Sequence, residues 1–346
     1  MMEVQSFTAH DLFNWLTNKE DFLLLDVRND VEFGRFKVEG PYPFEMVNVP
    51  YMEFVEMEDE SVAKVPRGNK VRIVCAKEGS SKFVGEILVQ HGFEDVAHMK
   101  VGIKAWGNLL EPVLVGAGDG YELYQFRRPG KASCSYGLIS GKEMMVFDPA
   151  KNIPFYRDFA RDKGCAIVKT FETHRQADYI SGSDLLRRTA DVEIVAPDDD
   201  FKVAKFPYTS ARHGETHRLN GGPNVDVIHT PGHTPGSTTY LIDDQYMITG
   251  DTVFIKSIGR PDLGGNQRAG QDRVARGAAR RGGAAGPPPH IHRGHAGPPH
   301  PGRRPRRGAK PSCYARRSGQ GGSGLPRRPE LCFTRGARPR AEPCLP

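Results

Sequence analysis

Four short apolar runs constrain the first third of this chain more than any other feature. They are FLLLDV (22–27), MVNVP (46–50), VRIVC (71–75) and DVAHM (95–99). Each is mostly apolar and too short for a helix, and reads as a short buried strand. HDLFNWLTN, SSKFVGEILVQHG and GIKAWGNLL carry apolar residues at helical spacing. Strands alternating with such helices predict a mostly parallel sheet covered on both faces, over residues 1–110. EPVLVGAGDG (111–120) ends in turn residues and reads as a linker.

From Tyr121 the pattern changes. YELYQFRR, SCSYGLIS and MMVFDP predict a meander of strands, and NIPFYRDFARDKG an amphipathic helix. AIVKTFET, DVEIVAP, VDVIHT, STTYLID and QYMITGD supply further strands. Runs of strands with interposed helices predict a layered α/β sandwich over 121–267.

After Gln267 the periodicity stops. Of the last 79 residues, 55 are Arg, Gly, Pro or Ala, and six are Val, Ile, Leu or Phe. A segment of that composition buries too little apolar surface to offset its ordering entropy, so residues 268–346 are expected to form a disordered basic tail. These are also the residues of GC-rich codons. The abrupt change favours a shifted reading frame over an evolved basic arm. The tail holds 17 Arg and one Lys against Asp272, Glu330 and Glu342, so the formal charge of +6 describes neither it nor the acidic body. With few aromatics and no binding motif, the tail ranks nucleic acid last among partners. The six cysteines lie far apart with no C-x-x-C, which argues against a disulfide scaffold. MMEVQSFTAHDLF is not a secretory signal, and no apolar run approaches the roughly 18 residues that cross a bilayer. A cytoplasmic, reducing setting without a membrane partner is the expectation.

Cys75 stands at the end of a buried strand. Ala76, Lys77, Glu78, Gly79, Ser80 and Ser81 follow as a loop before the next helix. That arrangement aims backbone N–H groups and a helix N-terminus at the sulfur, and such a site stabilises a thiolate and an anionic persulfide. Lys77 and Lys82 add positive charge. A buried structural cysteine is an equal alternative on spacing alone. DVRNDVEFGRF (26–36), NVP (48–50), CAKEGSSK (75–82) and VGIKAW (101–106) resemble, in order, the signatures of rhodanese domains across residues 5–110. The resemblance implies a doubly wound α/β sheet in which Cys75 accepts a sulfane sulfur and hands it on. Asp26 and Arg28 would support the loop and the fold.

Three later stretches carry metal-ligand residue types at predicted strand ends. ETHRQADY offers His174 and Asp178, TPGHTPGS offers His233, and ITGDTVF offers Asp251. One loop histidine is more often a packing residue than a ligand, but three such stretches shift the balance. They resemble the metallo-β-lactamase fold over about 121–265, whose first motif reads T-H-x-H-x-D-H. Thr173, His174 and Asp178 match it, whereas Gln176 and Tyr179 replace two histidines; PGHTPGS and GDT match fully. The family's last histidine, about forty residues beyond the GDT aspartate, falls in the tail, and His295 is not assigned its role. The resemblance therefore implies an αβ/βα metallo-β-lactamase sandwich lacking its C-terminal portion. SIGRPDL (257–263) is similar to a segment of persulfide dioxygenases, with Arg260 and Asp262 as substrate-side candidates.

By the same resemblance, His174, His233 and Asp251 would hold one ferrous ion, two histidines and a carboxylate leaving open positions for oxygen and substrate. Asp178, Gln176 and Tyr179 would lie around that centre or at a second metal position. The expected function is sulfane-sulfur metabolism: sulfur transfer at Cys75 coupled to oxidation of a small thiol persulfide at the iron, in a chain that could act as a homodimer. The alternatives are a zinc hydrolase of thioesters, resembling hydroxyacylglutathione hydrolases, and a sulfurtransferase or sensor whose second domain is inactive.

Overall fold

The computed structural model describes residues 4–131, 133–176, 179–254, 259–260 and 290–292. Asp178 and Asp262, and the tail except for 290–292, lie outside the described residues.

The first domain runs β1 (Gln5–Phe7), α1 (Ala9–Asn18), β2 (Leu23–Asp26), α2 (Asp30–Arg35), β3 (Glu45–Asn48), α3 (Tyr51–Glu56), α4 (Glu58–Ala63), β4 (Val71–Val74), α5 (Glu78–Gln90), β5 (Val96–Met99) and α6 (Ile103–Asn108). The strands form one parallel sheet in the order β1-β5-β4-β2-β3. Successive strand residues point to opposite faces, so the apolar runs are sorted one residue at a time. Leu23, Leu25 and Ile73 pack with Val84 and Leu88 of α5. Leu24, Val74, Ala97 and Met99 pack with Leu12 and Leu16 of α1 and Trp106 of α6. Apolar residues on both sides of each strand are what a sheet covered on both faces requires. At the exit of β2, Arg28 donates from Nε to Asp26 Oδ1 at 2.9 Å and from its NH2 nitrogen to Phe36 O at 2.6 Å. Asn48 Nδ2 donates to Asp26 O at 2.7 Å and to Arg28 O at 2.8 Å. Asp26 and Arg28 thus brace the chain where it leaves the sheet.

The second domain begins earlier than its sequence pattern indicates. Residues 111–120 are no linker: β6 (Glu111–Gly118) pairs antiparallel with β7 (Tyr121–Arg128) along its length. Its small residues Gly116, Ala117 and Gly118 hide the alternation, yet they fit because a Cβ on Gly116 would lie 2.4 Å from the Tyr246 ring. The order continues β8 (Ser133–Ser140), β9 (Glu143–Phe147), α7 (Ile153–Asp162), β10 (Ala166–Phe171), α8 (Ser183–Ala190), β11 (Glu193–Ala196), α9 (Asp198–Phe201), β12 (Thr209–Ser210), β13 (Thr216–Arg218), β14 (Asn224–His229), β15 (Thr238–Ile242), β16 (Tyr246–Ile248) and β17 (His290–His292). One sheet has the order β12-β11-β10-β9-β8-β7-β6 and the other β13-β14-β15-β16-β17. Leu138, Met145, Phe147 and Phe171 of the first meet Val227, Tyr240 and Ile248 of the second. Ile139, Met144 and Val146 face outward onto Tyr156 of α7 and Leu186 of α8.

Within the segment expected to be a disordered tail, the three-residue strand β17 pairs in parallel with β16. A sheet edge offers unpaired N–H and C=O groups, and a short segment satisfies them whatever the composition around it. Among the described residues, no helix is long and apolar enough to cross a membrane.

Candidate metal centre

β10 ends at Phe171 and the chain runs on through Glu172 and Thr173 to His174, at the edge shared by the two sheets. Two contacts fix this exit. Thr173 N donates to Asp148 Oδ1 at 2.8 Å, and Thr238 N of β15 donates to Thr173 O at 2.8 Å. Asp148 ends β9 with φ of 50°, a backbone region that Asp tolerates better than most residues. Its carboxyl is held above the usual carboxylate range by burial, against the pull of Thr173 and of the neighbouring Gln176 amide.

Thr173 Oγ1 lies 2.9 Å from Asp148 Oδ2 and 2.9 Å from His174 Nδ1. Donating its one proton to the carboxylate leaves the hydroxyl to accept from His174 Nδ1–H, so the lone pair of His174 stays on Nε2. His233, in the turn between β14 and β15, is arranged likewise: Nδ1 lies 3.1 Å from Arg260 O and donates to it. Asp251 follows β16 through Gly250. The Nε2 atoms of His174 and His233 lie 4.0 and 3.5 Å from Asp251 Oδ2, and the two rings are 5.0 Å apart at 84°. The three donor atoms all fall within 4.8 Å of one another. Metal–ligand bonds of about 2 Å put neighbouring donors roughly 3–3.5 Å apart, so small inward movements would close this set around a cation. Two neutral imidazoles, each with its outer nitrogen engaged, and one carboxylate are a donor set that fits a divalent transition metal.

The other sequence candidates lie elsewhere. Gln176 sits beside the Asp148 carboxylate, and Tyr179 donates its hydroxyl to Asp148 O at 3.0 Å. Arg260 is exposed and meets the centre through its carbonyl. Three residues escaped the sequence reading. Asp148 had a readable signal, an Asp-Pro pair closing a strand. Glu172 is fully buried and takes hydrogen bonds at Oε1 from the Ser181 and Ser183 hydroxyls, the second at 2.5 Å. Its carboxyl is pushed upward by burial and then by Asp148. Asp200 sits in an acidic run, where nothing marks it out from its neighbours.

Cys75 lies directly beyond β4, 6% exposed and packed in the core against α5. The loop after it is shorter than its sequence suggests. α5 begins at Glu78, so Glu78, Gly79, Ser80 and Ser81 form its first turn, and Lys77 is an N-cap that makes no side-chain cap. The helix-favouring run from Ser81 onward simply extends one turn earlier. Ser81 is buried and its hydroxyl turns to Glu78 O at 2.9 Å. A helix N-terminus without a capping side chain keeps N–H groups for an anion. Ile103 N donates to Cys75 O at 2.7 Å, and Gly102, at φ of 75°, approaches so closely that a Cβ would lie 2.7 Å from Cys75 O.

Residues 8–109 match the rhodanese-like domain family, and residues 129–297 match the metallo-beta-lactamase superfamily, a span that includes β17. The probable metallo-hydrolase YqgX of Bacillus subtilis is 29% identical over 153 residues, covering 38% of this chain and 72% of that protein. Persulfide dioxygenase ETHE1, mitochondrial, of Homo sapiens is 28% identical over 158 residues, covering 43% of this chain and 59% of that protein. Hydroxyacylglutathione hydrolase of Haemophilus ducreyi is 30% identical over 134 residues, covering 38% of this chain and 54% of that protein. The chain thus spans between about half and three quarters of the length of these relatives.

Proposed function

We propose that this chain, a rhodanese-like domain followed by a metallo-beta-lactamase-superfamily domain, carries sulfane sulfur on Cys75 and oxidises a small thiol persulfide at His174, His233 and Asp251. The observation that carries the reading is the convergence of three donor atoms within 4.8 Å, from three separate stretches. A ferrous ion bound there would supply one-electron chemistry with dioxygen; zinc would supply a Lewis acid and no redox step.

The chain's own residues do the rest. Thr173 and the Arg260 carbonyl hold both imidazoles with Nε2 directed inward. Gln176 and Tyr179 are turned to Asp148, which supports one metal position rather than two. At the first domain, the Cys75 thiolate attacks the outer sulfur of a donor such as thiosulfate, forming the Cys75 persulfide and releasing sulfite. A free thiol then takes that sulfur as a new small persulfide and regenerates the thiolate. At the second domain, one persulfide, one dioxygen and one water give one thiol, one sulfite and two protons. The product of the first site is thus a substrate of the second.

Resemblance to hydroxyacylglutathione hydrolases keeps thioester hydrolysis as the rival. Metal analysis of the purified full chain separates them. One iron per chain, with oxygen uptake on adding glutathione persulfide, is expected. Two zinc per chain with hydrolysis of S-lactoylglutathione would overturn the reading.

A further inference from the structure

We infer that Asp200 is a positioning residue that sets the separation of the two metal-facing imidazoles; the inference rests on reading His174, His233 and Asp251 as a metal centre. Asp200 belongs to α9, a helix of four residues. Asp198 and Asp199 are exposed, whereas Asp200 is turned inward and only 7% exposed. Its carboxylate meets three donors among the described residues. Oδ2 accepts from Arg175 N at 2.9 Å and from Thr234 Oγ1 at 2.6 Å, and Oδ1 accepts from Gly236 N at 2.9 Å.

Two of those donors, the pair on Oδ2, adjoin the metal-facing histidines. Arg175 directly follows His174, and Thr234 directly follows His233. A single oxygen therefore ties together the residues next to both histidines. The two histidines come from different sheets, one beyond β10 and the other between β14 and β15, and the sandwich core alone does not fix their spacing to a fraction of an ångström. A buried carboxylate with three hydrogen bonds does, because charge-assisted bonds are short and directional. Gly236 belongs to the same device: a Cβ there would lie 2.7 Å from Asp200 Cγ, so the turn carrying His233 approaches only without a side chain.

The test uses the metal-free full chain titrated with cobalt(II). It reads the dissociation constant, the visible d–d spectrum and the melting temperature of the metal-free protein. Asp200→Asn keeps the shape but presents an NH2 to one of the donors. It is expected to weaken cobalt binding by roughly 10–100-fold, the usual effect of losing a residue that orients a ligand, and to alter the d–d envelope. A change confined to melting temperature would mean a merely structural role and would overturn the inference. Asp198→Asn, on the exposed side of α9, should leave binding and spectrum unchanged. If Asp200→Asn does not fold, Thr234→Val decides, since it keeps the side-chain shape and removes the hydroxyl that reaches Asp200 and Ser237 Oγ. It should weaken binding in the same direction, and an unchanged affinity and spectrum would sink the proposal. A wild-type chain that takes up no cobalt overturns the metal reading itself and this inference with it, whereas normal uptake by wild type and variant alike overturns the role of Asp200 alone.

Discussion

Gly250 presses against Thr173 so closely that a Cβ on it would lie 2.3 Å from Thr173 Oγ1 and 3.0 Å from His174 Nδ1. Its φ of 51° is also one that side-chain-bearing residues rarely adopt. The residue before Asp251 therefore packs against the hydroxyl that orients His174, so two arms of the candidate centre are fitted to each other. Gly250→Ala should lower metal content by about 10–100-fold and cost on the order of 1–3 kcal/mol of stability. Metal per chain and a thermal melt check both; a variant with full metal content would show that the exits of β10 and β16 move independently.

The substituted positions of the first motif give a second expectation. Tyr179 touches Asp148 O, so Tyr179→Phe removes one hydrogen bond, worth about 1 kcal/mol, and should leave metal stoichiometry unchanged. His174→Ala, His233→Ala and Asp251→Asn should each abolish metal uptake while sulfur transfer at Cys75 persists. Loss of metal in Tyr179→Phe would instead make its oxygen a ligand.

Much of this centre was legible in the sequence, and the reason is local. His174, His233 and Asp251 each stand three or four residues beyond the end of a strand, in short turns, so residue type and position coincide. Asp148, Glu172 and Asp200 were harder because their roles come from partners brought close only by folding. Asp200 meets Arg175 and Thr234 across the sandwich, and no spacing rule singles it out from Asp198 or Asp199. β6 failed for another reason: Gly116 and Gly118 remove the apolar alternation that marks a strand, while the packing of Tyr246 against Gly116 supplies its stability from outside. β17 lies in a stretch whose composition carries no strand signal, and pairing to an open edge creates the strand. The first domain was read well because its sheet is covered on both faces, which leaves short strands with apolar residues on both sides.

Glu172 should make the metal-free protein sensitive to alkali. Burial raises its pKa, with Asp148 adding to the effect, so the folded chain keeps this proton to higher pH than the unfolded chain does. Any stability from that difference is present below the ordinary carboxylate pKa and is lost as pH rises toward the raised value. Glu172→Gln keeps a carbonyl for the Ser181 and Ser183 hydroxyls and does not titrate. Melting temperatures at pH 5, 7 and 9 should show the variant gaining on wild type as pH rises. Each pKa unit corresponds to about 1.4 kcal/mol, or roughly 2–4 °C for a domain of this size. A difference between variant and wild type that stays the same from pH 5 to 9 would mean that Glu172 is ionised in the fold.

The Cys75 loop should fail in two separable ways. Cys75→Ser removes the nucleophile and should abolish sulfur transfer from thiosulfate to cyanide. Gly102→Ala keeps the thiol but forces a Cβ to within 2.7 Å of Cys75 O at a positive φ. The displaced loop should transfer sulfur at least about tenfold more slowly, since an ångström of misplacement at a reacting atom can cost roughly a hundredfold. Metal content should be unaffected in both variants. Transfer at the wild-type rate in Cys75→Ser would assign the chemistry to another cysteine.

The joint between the domains rests on Arg128. It lies in β7, 6% exposed, and donates from Nε to Gly107 O at 2.8 Å, at the end of α6. A cation near a helix C-terminus is favourable because the last carbonyls lack partners within the helix. Asn152 Nδ2 donates to Asn108 O at 3.0 Å, and Gly130 packs against Trp106, so β7, the 3-10 turn Pro129–Lys131 and the residue that precedes α7 all meet the same helix end. Arg128 is 6% exposed, so its guanidinium is held out of water at the joint, and that burial lowers its pKa. Arg128→Ala would leave the Gly107 carbonyl buried without this donor, a loss of about 1–3 kcal/mol, and would loosen one domain from the other. Calorimetry of the full chain should then resolve two transitions where the wild type shows them merged, because cooperative unfolding of two domains depends on the interface between them. Identical transitions in variant and wild type would locate the coupling in the remaining contacts, chief among them His10 with Glu111 at 2.7 Å.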